Sequence, residues 1–284
     1  MWENLFFEIT KQDGSILTLG KDKYAIKKDN KLFDNLLTFE EELKEREIEI
    51  EVYYTDVQDI KVFQDFFELQ KRGKNYKYDL KITANNKIYK AQCYTDDKPF
   101  DVTEIDDLFF LETQPTATIA LKLIIENQYL YSETGYKKSI GASSDYFFRY
   151  PYYVGMNNKT NNIIFGLKTG LQPYNIDNAG NEDNGVVVTV ETDGDLLTPI
   201  IRNKTTGFEM GLNLSMDLGD ILVVDTIKKS VIFNGEQLTN VKRLFDKWLT
   251  LQEGVNVVEF GALVGEDNAT VTIEFFNKFR SVQA

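Results

Sequence analysis

The stretch from Ile200 to Gly235 constrains the fold most strongly, because strand patterns and turn signals alternate along it. Apolar side chains recur at every second residue from Phe208 to Leu214, which places them on one face of a strand. After a break at 217–220, residues 221–224 predict a fully buried strand. The next strand ends at Asn234-Gly235, the strongest short hairpin signal. Three closely connected antiparallel strands predict one leaf of a β-sandwich.

The N-terminal half has strand signals of the same kind and one helix signal. Turn residues at Asp13-Gly14 and at Asn85-Asn86 predict two hairpins. Apolar residues from Val57 to Phe67 recur at helical spacing, and Gly73 follows as a stop. A further strand is predicted from Thr118, whereas residues 21–37 are polar and are expected to be an irregular loop.

The C-terminal half has one helix signal and a last pair of strands. Residues 255–263 and 270–276 predict a closing hairpin around the turn 265–268. A helix is predicted after Thr239 or Asn240, ending at Gly254, from apolar residues at the spacing of a helix that lies on a core. These residues are Val241, Leu244, Phe245, Trp248 and Leu249.

A polar segment rich in Ser and Gly, residues 132–144, separates the two halves and is predicted to be a linker. With 284 residues, about two domains are expected. The sequence therefore predicts a mainly β protein. Residues 1–138 would form a β-sandwich or barrel-like domain with one helix, and residues 139–284 a β-sandwich with one helix.

Composition excludes several classes of function. The net charge of −13 argues against binding nucleic acid through phosphate neutralisation. The chain has no histidine, so His-based catalytic triads and His zinc ligands are excluded. Its single cysteine, Cys93, allows no internal disulfide. No secretion signal or apolar run of membrane-spanning length is present, so we expect a soluble protein made in a reducing cytoplasm.

No motif in the chain indicates catalysis. A phosphate loop and a dinucleotide fingerprint are absent, and Cys93 has no base to activate it, so it is interpreted as a packing residue. The oxygen-rich loop from Asp177 to Gly185 could hold calcium, but it lacks the ligand order of an EF-hand, and a plain loop is favoured. We therefore predict that the protein is not an enzyme and has no metal or cofactor.

An aromatic cluster at residues 146–153 has two interpretations. Its members could be buried in a core or a subunit interface, or they could form a platform on which sugar rings stack. The candidate residues are Tyr146, Phe148, Tyr150 and Tyr152.

Residues 186–279 resemble the C-terminal domain of the distal tail proteins of long-tailed bacteriophages. The features that carry this resemblance are Asn203, Thr206-Gly207, Gly219-Asp220, an Ile-Asp-Thr-like strand ending and the Asn234-Gly235 hairpin. The chain departs from the family pattern at Val224, where Ile is usual, and at Glu253, where Pro is usual. The order of elements before residue 132 also fits the N-terminal domain of that family, more loosely.

The resemblance implies a virion protein that is assembled in the host cytoplasm. It implies a ring, usually hexameric, that the N-terminal domain builds at the far end of the tail tube, with a galectin-like C-terminal sandwich projecting outward. The implied partners are the tail tube protein, the tail-associated hub protein, the tape-measure protein and, in some phages, receptor-binding proteins. The alternatives are a monomeric carbohydrate-binding module and, more weakly, a carboxylate-based glycan hydrolase.

The alternation Glu47-Ile48-Glu49-Ile50-Glu51-Val52 predicts a strand with an acidic face and an apolar face. The apolar face would cover the N-terminal core. Glu47, Glu49 and Glu51 would form either an ordinary solvent face or, in a ring, part of the wall of a channel for DNA.

Overall fold

The computed structural model describes residues 4–21, 23–28, 30–37, 44–54, 57–68, 73–103, 118–141, 143–153, 160–169 and 173–282. Side chains between residues 140 and 172 lie outside the description. The chain divides into two compact units, Met1–Thr134 with Lys278–Ala284, and Gly135–Asn277. Both units are mainly β, as the sequence predicts.

The first unit contains the two helices that the described residues form, α1 (Asn30–Leu37) and α2 (Val57–Phe66). Its first eight strands are β1 (Phe6–Thr10), β2 (Ile16–Leu19), β3 (Arg46–Tyr53), β4 (Tyr78–Ala84), β5 (Lys87–Tyr94), β6 (Phe100–Thr103), β7 (Thr118–Ile125) and β8 (Leu130–Ser132). They belong to one sheet whose main order is β2-β1-β4-β5-β7-β3. The hairpins around Asp13-Gly14 and Asn85-Asn86 and the strand from Thr118 are confirmed.

Helix α1 corrects the prediction of an irregular loop at residues 21–37. Leu32 and Leu36 lie four residues apart, on one helix face, and both are buried in the core of the first unit. Near the C-terminal end of the helix, next to Leu36, Arg46 Nε donates to the carbonyl of Asn35 at 2.8 Å. Burial lowers the pKa of Arg46 to about 10. The segment is mostly polar, so its sequence gave no helix signal. Its two apolar side chains, Leu32 and Leu36, stabilise the helix only because they are buried in the tertiary core.

The second unit is built entirely of strands and short turns within its described residues. Its strands are β9 (Tyr136–Gly141), β10 (Ser143–Tyr153), β11 (Thr160–Thr169), β12 (Tyr174–Asn178), β13 (Asn184–Gly185), β14 (Val187–Thr192), β15 (Leu196–Asn203), β16 (Phe208–Gly211), β17 (Ser215–Met216), β18 (Ile221–Asp225), β19 (Ser230–Phe233), β20 (Glu236–Leu238), β21 (Thr250–Leu251), β22 (Gly254–Val264) and β23 (Ala269–Phe275). One sheet has the order β12-β22-β15-β16, with β17 on β15, and a second has the order β20-β19-β18-β14-β23-β9.

Both sheets contribute to a single apolar core, so the unit is a sandwich. Strands β16 and β18 were expected in one leaf, but they lie in different sheets. Ile221 is 44% exposed while Leu222 is fully buried, so β18 is half-buried rather than fully buried. An antiparallel sheet in a sandwich has one face toward the core and one toward solvent, which explains the alternation.

The predicted closing hairpin is also wrong, because β22 and β23 belong to different sheets. Gly265 adopts a left-handed conformation, with φ of 77°, and a single 3-10 turn, Glu266–Asn268, follows it. These residues carry the chain from one sheet to the other. Turn composition alone does not distinguish such a crossover from a hairpin.

The helix predicted between residues 239 and 253 does not form. Instead, residues 241–247 follow the edge of β16 and make a turn at Leu244 and Phe245. Arg243 N–H donates to the Gly211 carbonyl at 2.9 Å and Lys247 N–H to the Glu209 carbonyl at 3.2 Å. The carboxylate of Asp246 accepts from Gly211 N–H at 2.7 Å. The edge of the sheet thus supplies the hydrogen bonds that a helix would otherwise make internally.

Residues 132–144, the predicted linker, are largely structured. Ser132 ends β8 and Tyr136 begins β9, and the two units divide at Thr134 and Gly135. After β23 the chain returns to the first unit, where β24 (Lys278–Phe279) pairs with β8. A fragment that starts at Asp145 would therefore lack β9 and would keep β24 without its partner strand. Whether the halves fold separately stays a prediction.

Candidate functional site

The predicted acidic strand is β3, and its side chains alternate as expected. Ile48, Ile50 and Val52 are fully buried in the core of the first unit. Glu47 is exposed, whereas Glu49 and Glu51 are half-buried. The segment just before α1 runs along the edge of β3, where Lys27 N–H donates to the Glu51 carbonyl at 2.8 Å.

Lysine side chains oppose the acidic face. The Lys31 Nζ lies 2.7 Å from the Glu49 carboxylate, and the Lys27 Nζ lies 2.5 Å from that of Glu51. Lys122 on β7 is the cross-strand neighbour of Glu49. Of the three carboxylates, Glu47 is therefore the one that projects most freely. The positions of these cations could not be inferred from the alternation of β3, because they come from distant segments.

A second feature of the first unit is a buried acid. Asp59, in the first turn of α2, has a side chain only 1% exposed and forms an ion pair with Lys23. Tyr24 Oη lies 3.5 Å from the same carboxylate, and burial raises the pKa of Tyr24. This arrangement fastens the segment before α1 to α2, and it serves the fold rather than a reaction.

A cavity of about 620 Å³ opens in the first unit where β4 and β5 meet the turn before β8. Asn127 Nδ2 donates to Tyr131 Oη at 3.2 Å at its rim, and burial raises the pKa of Tyr131. An aromatic ring beside amides and charged groups is a lining suited to a polar organic ligand. The lining residues are Thr10, Asp79, Leu80, Lys81, Lys90, Ala91, Gln92, Glu126, Asn127 and Tyr131.

The aromatic candidates Tyr146, Phe148, Tyr150 and Tyr152 lie on β10, which pairs with β11 in a two-stranded sheet. The register shifts between Tyr146 and Phe148. Their side chains lie outside the described part of the structure, so the choice between an interface and a sugar platform stays a prediction.

The candidate calcium loop is organised by an asparagine. Asn178 is fully buried, its Nδ2 donates to the Glu182 carbonyl at 2.9 Å, and its Oδ1 accepts from Gly180 N–H at 3.2 Å. Within the described ranges, no group of three acidic or cysteine side chains is arranged to hold a metal ion. Burial raises the pKa of the Cys93 thiol, which keeps it in its unreactive form.

The family motif in the second unit consists of residues that close turns. Asn203 is fully buried, its Nδ2 donates to the Thr250 carbonyl at 2.8 Å and to Asn256 Oδ1 at 3.0 Å, and its Oδ1 accepts from Thr205 N–H at 3.0 Å. Gly207 and Gly219 both have positive φ, which favours glycine. The motif thus specifies how loops meet the sandwich.

Asp220 and Asp225 have equivalent roles at the ends of β18. The carboxylate of Asp220 accepts from Asp217 N–H at 2.7 Å and from Asn234 Nδ2 at 2.8 Å, and these hydrogen bonds lower its pKa. Asp225 Oδ1 accepts from the N–H groups of Ile227 and Lys228 at 3.0 and 2.9 Å. Hydrogen bonding in turns therefore accounts for both aspartates of the motif, and neither needs a catalytic role to explain its presence.

Comparison with known proteins agrees with this description. The model of the family described as siphovirus-type tail component, C-terminal domain, matches residues 179–279. The search of curated proteins finds no match. Among the described residues, no helix has the length and apolar character needed to cross a membrane.

Two solved structures show how far the likeness extends. The crystal structure of the Dit (gp 19.1) protein of phage SPP1, described as a paradigm of the hub adsorption apparatus in phages that infect Gram-positive bacteria, is 12% identical. It covers 96% of this chain and 99% of that chain, with a TM-score of 0.57. A chain of the phage P2 baseplate, in its activated conformation with Ca, is 10% identical and covers 96% of this chain and 98% of that chain. Its TM-score of 0.38 is too low to bear on the fold.

The fold is shared along nearly the whole chain, and the domain model matches the segment that contains the turn motif. Residues 179–279 are thus similar to the C-terminal domain of siphovirus-type tail components, and nearly the whole chain is similar in fold to SPP1 Dit.

Proposed function

We propose that the protein forms a ring, a hexamer by its family resemblance, at the far end of a siphophage tail tube. The observation that carries this proposal is the fold shared with SPP1 Dit over 96% of the chain. The ring would join the tube to the tail tip and leave a channel for DNA. The role is mechanical, and we propose no catalytic step.

In this proposal the two units have different tasks. The first unit, whose extended sheet has a free edge at β2, builds the ring. The second, a galectin-like sandwich, projects outward. The tail tube protein, the hub protein and the tape-measure protein are the proposed partners, with receptor-binding proteins as further candidates. The protein would act in the virion after assembly in the host cytoplasm.

Electron microscopy of the purified full chain, with light scattering for mass, tests the ring. We expect closed rings whose mass is a whole multiple of 32.8 kDa. A protein that stays monomeric at micromolar concentration, with or without tail tube protein, would contradict the proposal.

We also propose a place for the acidic face of β3 on the channel wall. Because Lys27 and Lys31 pair with two of the three carboxylates, the substitution Glu47→Lys is the informative one. It leaves the buried face of β3 unchanged, so rings should still form. DNA ejection from tails that carry it should slow at low salt, because an added cation invites phosphate contacts.

The matched control for that experiment is Glu236→Lys, at an exposed site of the second unit. Equal ejection rates for the Glu47 and Glu236 variants at low salt would remove the channel role and leave an ordinary solvent face. Replacing all three β3 carboxylates with Lys is a poorer test, because it would set like charges against Lys27 and Lys31.

Glycan binding is a second candidate function, and the cavity beside Tyr131 supports it. Titration of host cell-wall glycans into the full chain, monitored by calorimetry, tests this function. We expect the substitution Tyr131→Ala to weaken binding at least tenfold if the cavity is the site, with Tyr174→Ala in the second unit as the control. Binding that Tyr131→Ala leaves unchanged would exclude the cavity.

A further inference from the structure

The four most exposed large apolar side chains among the described residues occur on two surfaces of the second unit. Phe245 is 93% exposed and Leu244 is 85% exposed, side by side in one turn. Leu218, in the turn before β18, is 74% exposed, and Leu263, near the end of β22, is 67% exposed. Single exposed apolar residues are common, but adjacent ones on ordered backbone often mark contact surfaces.

The first surface is the turn Lys242–Lys247, named here the basic turn. Asp246 N–H donates to the Arg243 carbonyl at 3.3 Å, which closes the turn around Leu244 and Phe245. The Asp246 carboxylate and Lys242 Nζ hold it further, through Gly211 N–H at 2.7 Å and the Arg243 carbonyl at 3.1 Å. The two apolar side chains are therefore presented on a fixed backbone.

The charge of the basic turn is positive in a chain of net charge −13. Lys247 is exposed and lies over the ring of Phe208, 4.3 Å from its centroid. Among the described residues, neither Lys242 nor Lys247 forms an ion pair with a carboxylate. The Lys247 ammonium is therefore available to a partner, whereas Lys242 Nζ already donates to the Arg243 and Asp246 carbonyls and Arg243 pairs with Glu209 at 3.1 Å.

The second surface, named here the acidic end, is where residues 191–198, 215–221 and 263–267 come together. Val264 is paired directly opposite Leu197, and these side chains are 57% and 39% exposed. Leu218 follows Met216, the strand partner of Leu196. These stretches contain no Lys or Arg, and their carboxylates are Glu191, Asp193, Asp195, Asp217, Asp220, Glu266 and Asp267.

We propose that the basic turn of one copy docks on the acidic end of the second unit of another copy. Leu244 and Phe245 would cover the apolar residues there, and Lys247 would face the surrounding carboxylates. Both surfaces have exposed apolar side chains, and one surface is positively charged while the other is negatively charged. Their charges are therefore complementary. This proposal rests on the proposed ring, which sets copies side by side.

The symmetry of this contact also fits a ring. The two surfaces are different parts of one unit, so each copy would give its basic turn to one neighbour and receive a turn from the other. A contact of this head-to-tail kind closes into a ring when the rotation between copies permits. The contact would link the second units of neighbouring copies, in addition to the contacts that the first units make in the proposed ring.

Disulfide trapping between two single variants tests the contact, because it reports only links between different chains. Tagged Phe245→Cys is mixed with untagged Leu263→Cys under mild oxidation. The native Cys93 is buried and stays inert. The control replaces Leu263→Cys with Ile227→Cys, which is 61% exposed and follows the opposite end of β18. We expect at least fivefold more tagged–untagged dimer with the Leu263 variant.

Rings that form while the Leu263 and Ile227 pairs give equal yields would overturn this inference and leave the proposed function standing. The absence of rings from the unmodified protein would instead count against the proposed function itself. Binding of the basic turn to anionic vesicles, with no disulfide between copies, would also overturn the inference.

Charge reversal gives an independent readout of the same contact. Lys247→Glu in the tagged chain, or Asp195→Lys in the untagged chain, should each lower the yield of trapped dimer several-fold. The two changes together should restore it, because the charges are again opposite. No restoration by the pair, in variants whose circular dichroism is unchanged, would contradict the proposed electrostatic match.

Discussion

The two ends of the C-terminal sandwich use polar residues in opposite ways. At one end, Asn178, Asn203 and Asn256 are fully buried, and their amides bond to loop backbone. At the other end, Asp193, Asp195 and Asp217 are exposed. A buried amide has its hydrogen-bonding capacity taken up within the fold, whereas an exposed carboxylate remains available to a partner. The first end therefore stabilises the fold, and the second presents the charges on which the proposed contact depends.

The largest effect should come from the end with the buried asparagines. Asn203→Ala removes the side chain that donates hydrogen bonds to the Thr250 carbonyl and to Asn256 Oδ1 and accepts one from Thr205 N–H. We expect a loss of about 3 kcal/mol in the free energy of unfolding, since each buried polar group left unsatisfied loses roughly 1–3 kcal/mol. Urea unfolding measures it. The control Asn213→Ala, at an exposed asparagine, should change it by less than about 0.5 kcal/mol.

A loss for Asn203→Ala no larger than for Asn213→Ala would show that water replaces the amide. The two ends would then differ less than the hydrogen bonds indicate.

Backbone geometry should give the next largest effect, at the acidic end. A Cβ on Gly265 would lie 1.9 Å from the Asp195 carbonyl oxygen, whereas a Cβ on Gly219 would meet no atom within 4 Å. Both glycines have positive φ. We expect Gly219→Ala to lower the free energy of unfolding by about 1 kcal/mol, from backbone strain alone. Gly265→Ala should lower it by about 2–3 kcal/mol, because steric overlap adds to the strain.

Equal losses for the two glycine variants, measured by thermal unfolding, would mean that the crossover after β22 can move aside. In that case the backbone of the acidic end would be less rigid than the proposed contact requires.

The pH dependence of stability should separate Asp220 from its acidic neighbours. Hydrogen bonds from Asp217 N–H and Asn234 lower the pKa of Asp220 in the folded protein. A carboxylate with a lowered native pKa stabilises the fold above its unfolded value, near 4, and loses that effect as the pH falls through the native value. The melting temperature of Asp220→Ala should therefore be below that of the parent at pH 7, and the difference should shrink in acid.

Asp193→Ala is the control, because Asp193 is exposed at the same end. A difference between Asp220→Ala and the parent that stays constant from pH 7 to pH 3 would show that the Asp220 hydrogen bonds do not depend on its charge.

The smallest effect should come from the basic turn. Phe245 is 93% exposed, so Phe245→Ser should change the free energy of unfolding by less than about 0.5 kcal/mol. Leu249→Ala, at a fully buried residue of the same segment, should lower it by about 3 kcal/mol. If Phe245→Ser destabilises as strongly as Leu249→Ala, the segment packs as the helix that its sequence pattern predicts.

Local patterns were sufficient wherever neighbours in sequence are also neighbours in the fold. The hairpins around Asp13-Gly14 and Asn85-Asn86 follow from turn residues, and β3 follows from strict alternation. Local patterns gave the wrong prediction at residues 241–249. There the helical spacing places Leu244 and Phe245 with Leu249, but backbone hydrogen bonds to the edge of β16 replace the helix, and Leu244 and Phe245 stay exposed in a turn. The competing partner is more than thirty residues away along the chain, so no local pattern contains it.

The candidate sites show the same limit. Alternation identified Glu47, Glu49 and Glu51 as one face, yet the pairing of Glu49 with Lys31 and of Glu51 with Lys27 depends on how a separate segment folds over β3. The cavity beside Tyr131 and the acidic end had no signal in the sequence, because each is assembled from segments that are distant along the chain.

The sequence by itself determined the mainly β class, the strand and turn chemistry and the resemblance to distal tail proteins, because these depend on residues close together in the chain. Only the tertiary structure decided which sheet each strand joins, where the cations lie and which apolar residues stay exposed. Those outcomes depend on competition between distant segments for the same core and the same backbone hydrogen bonds.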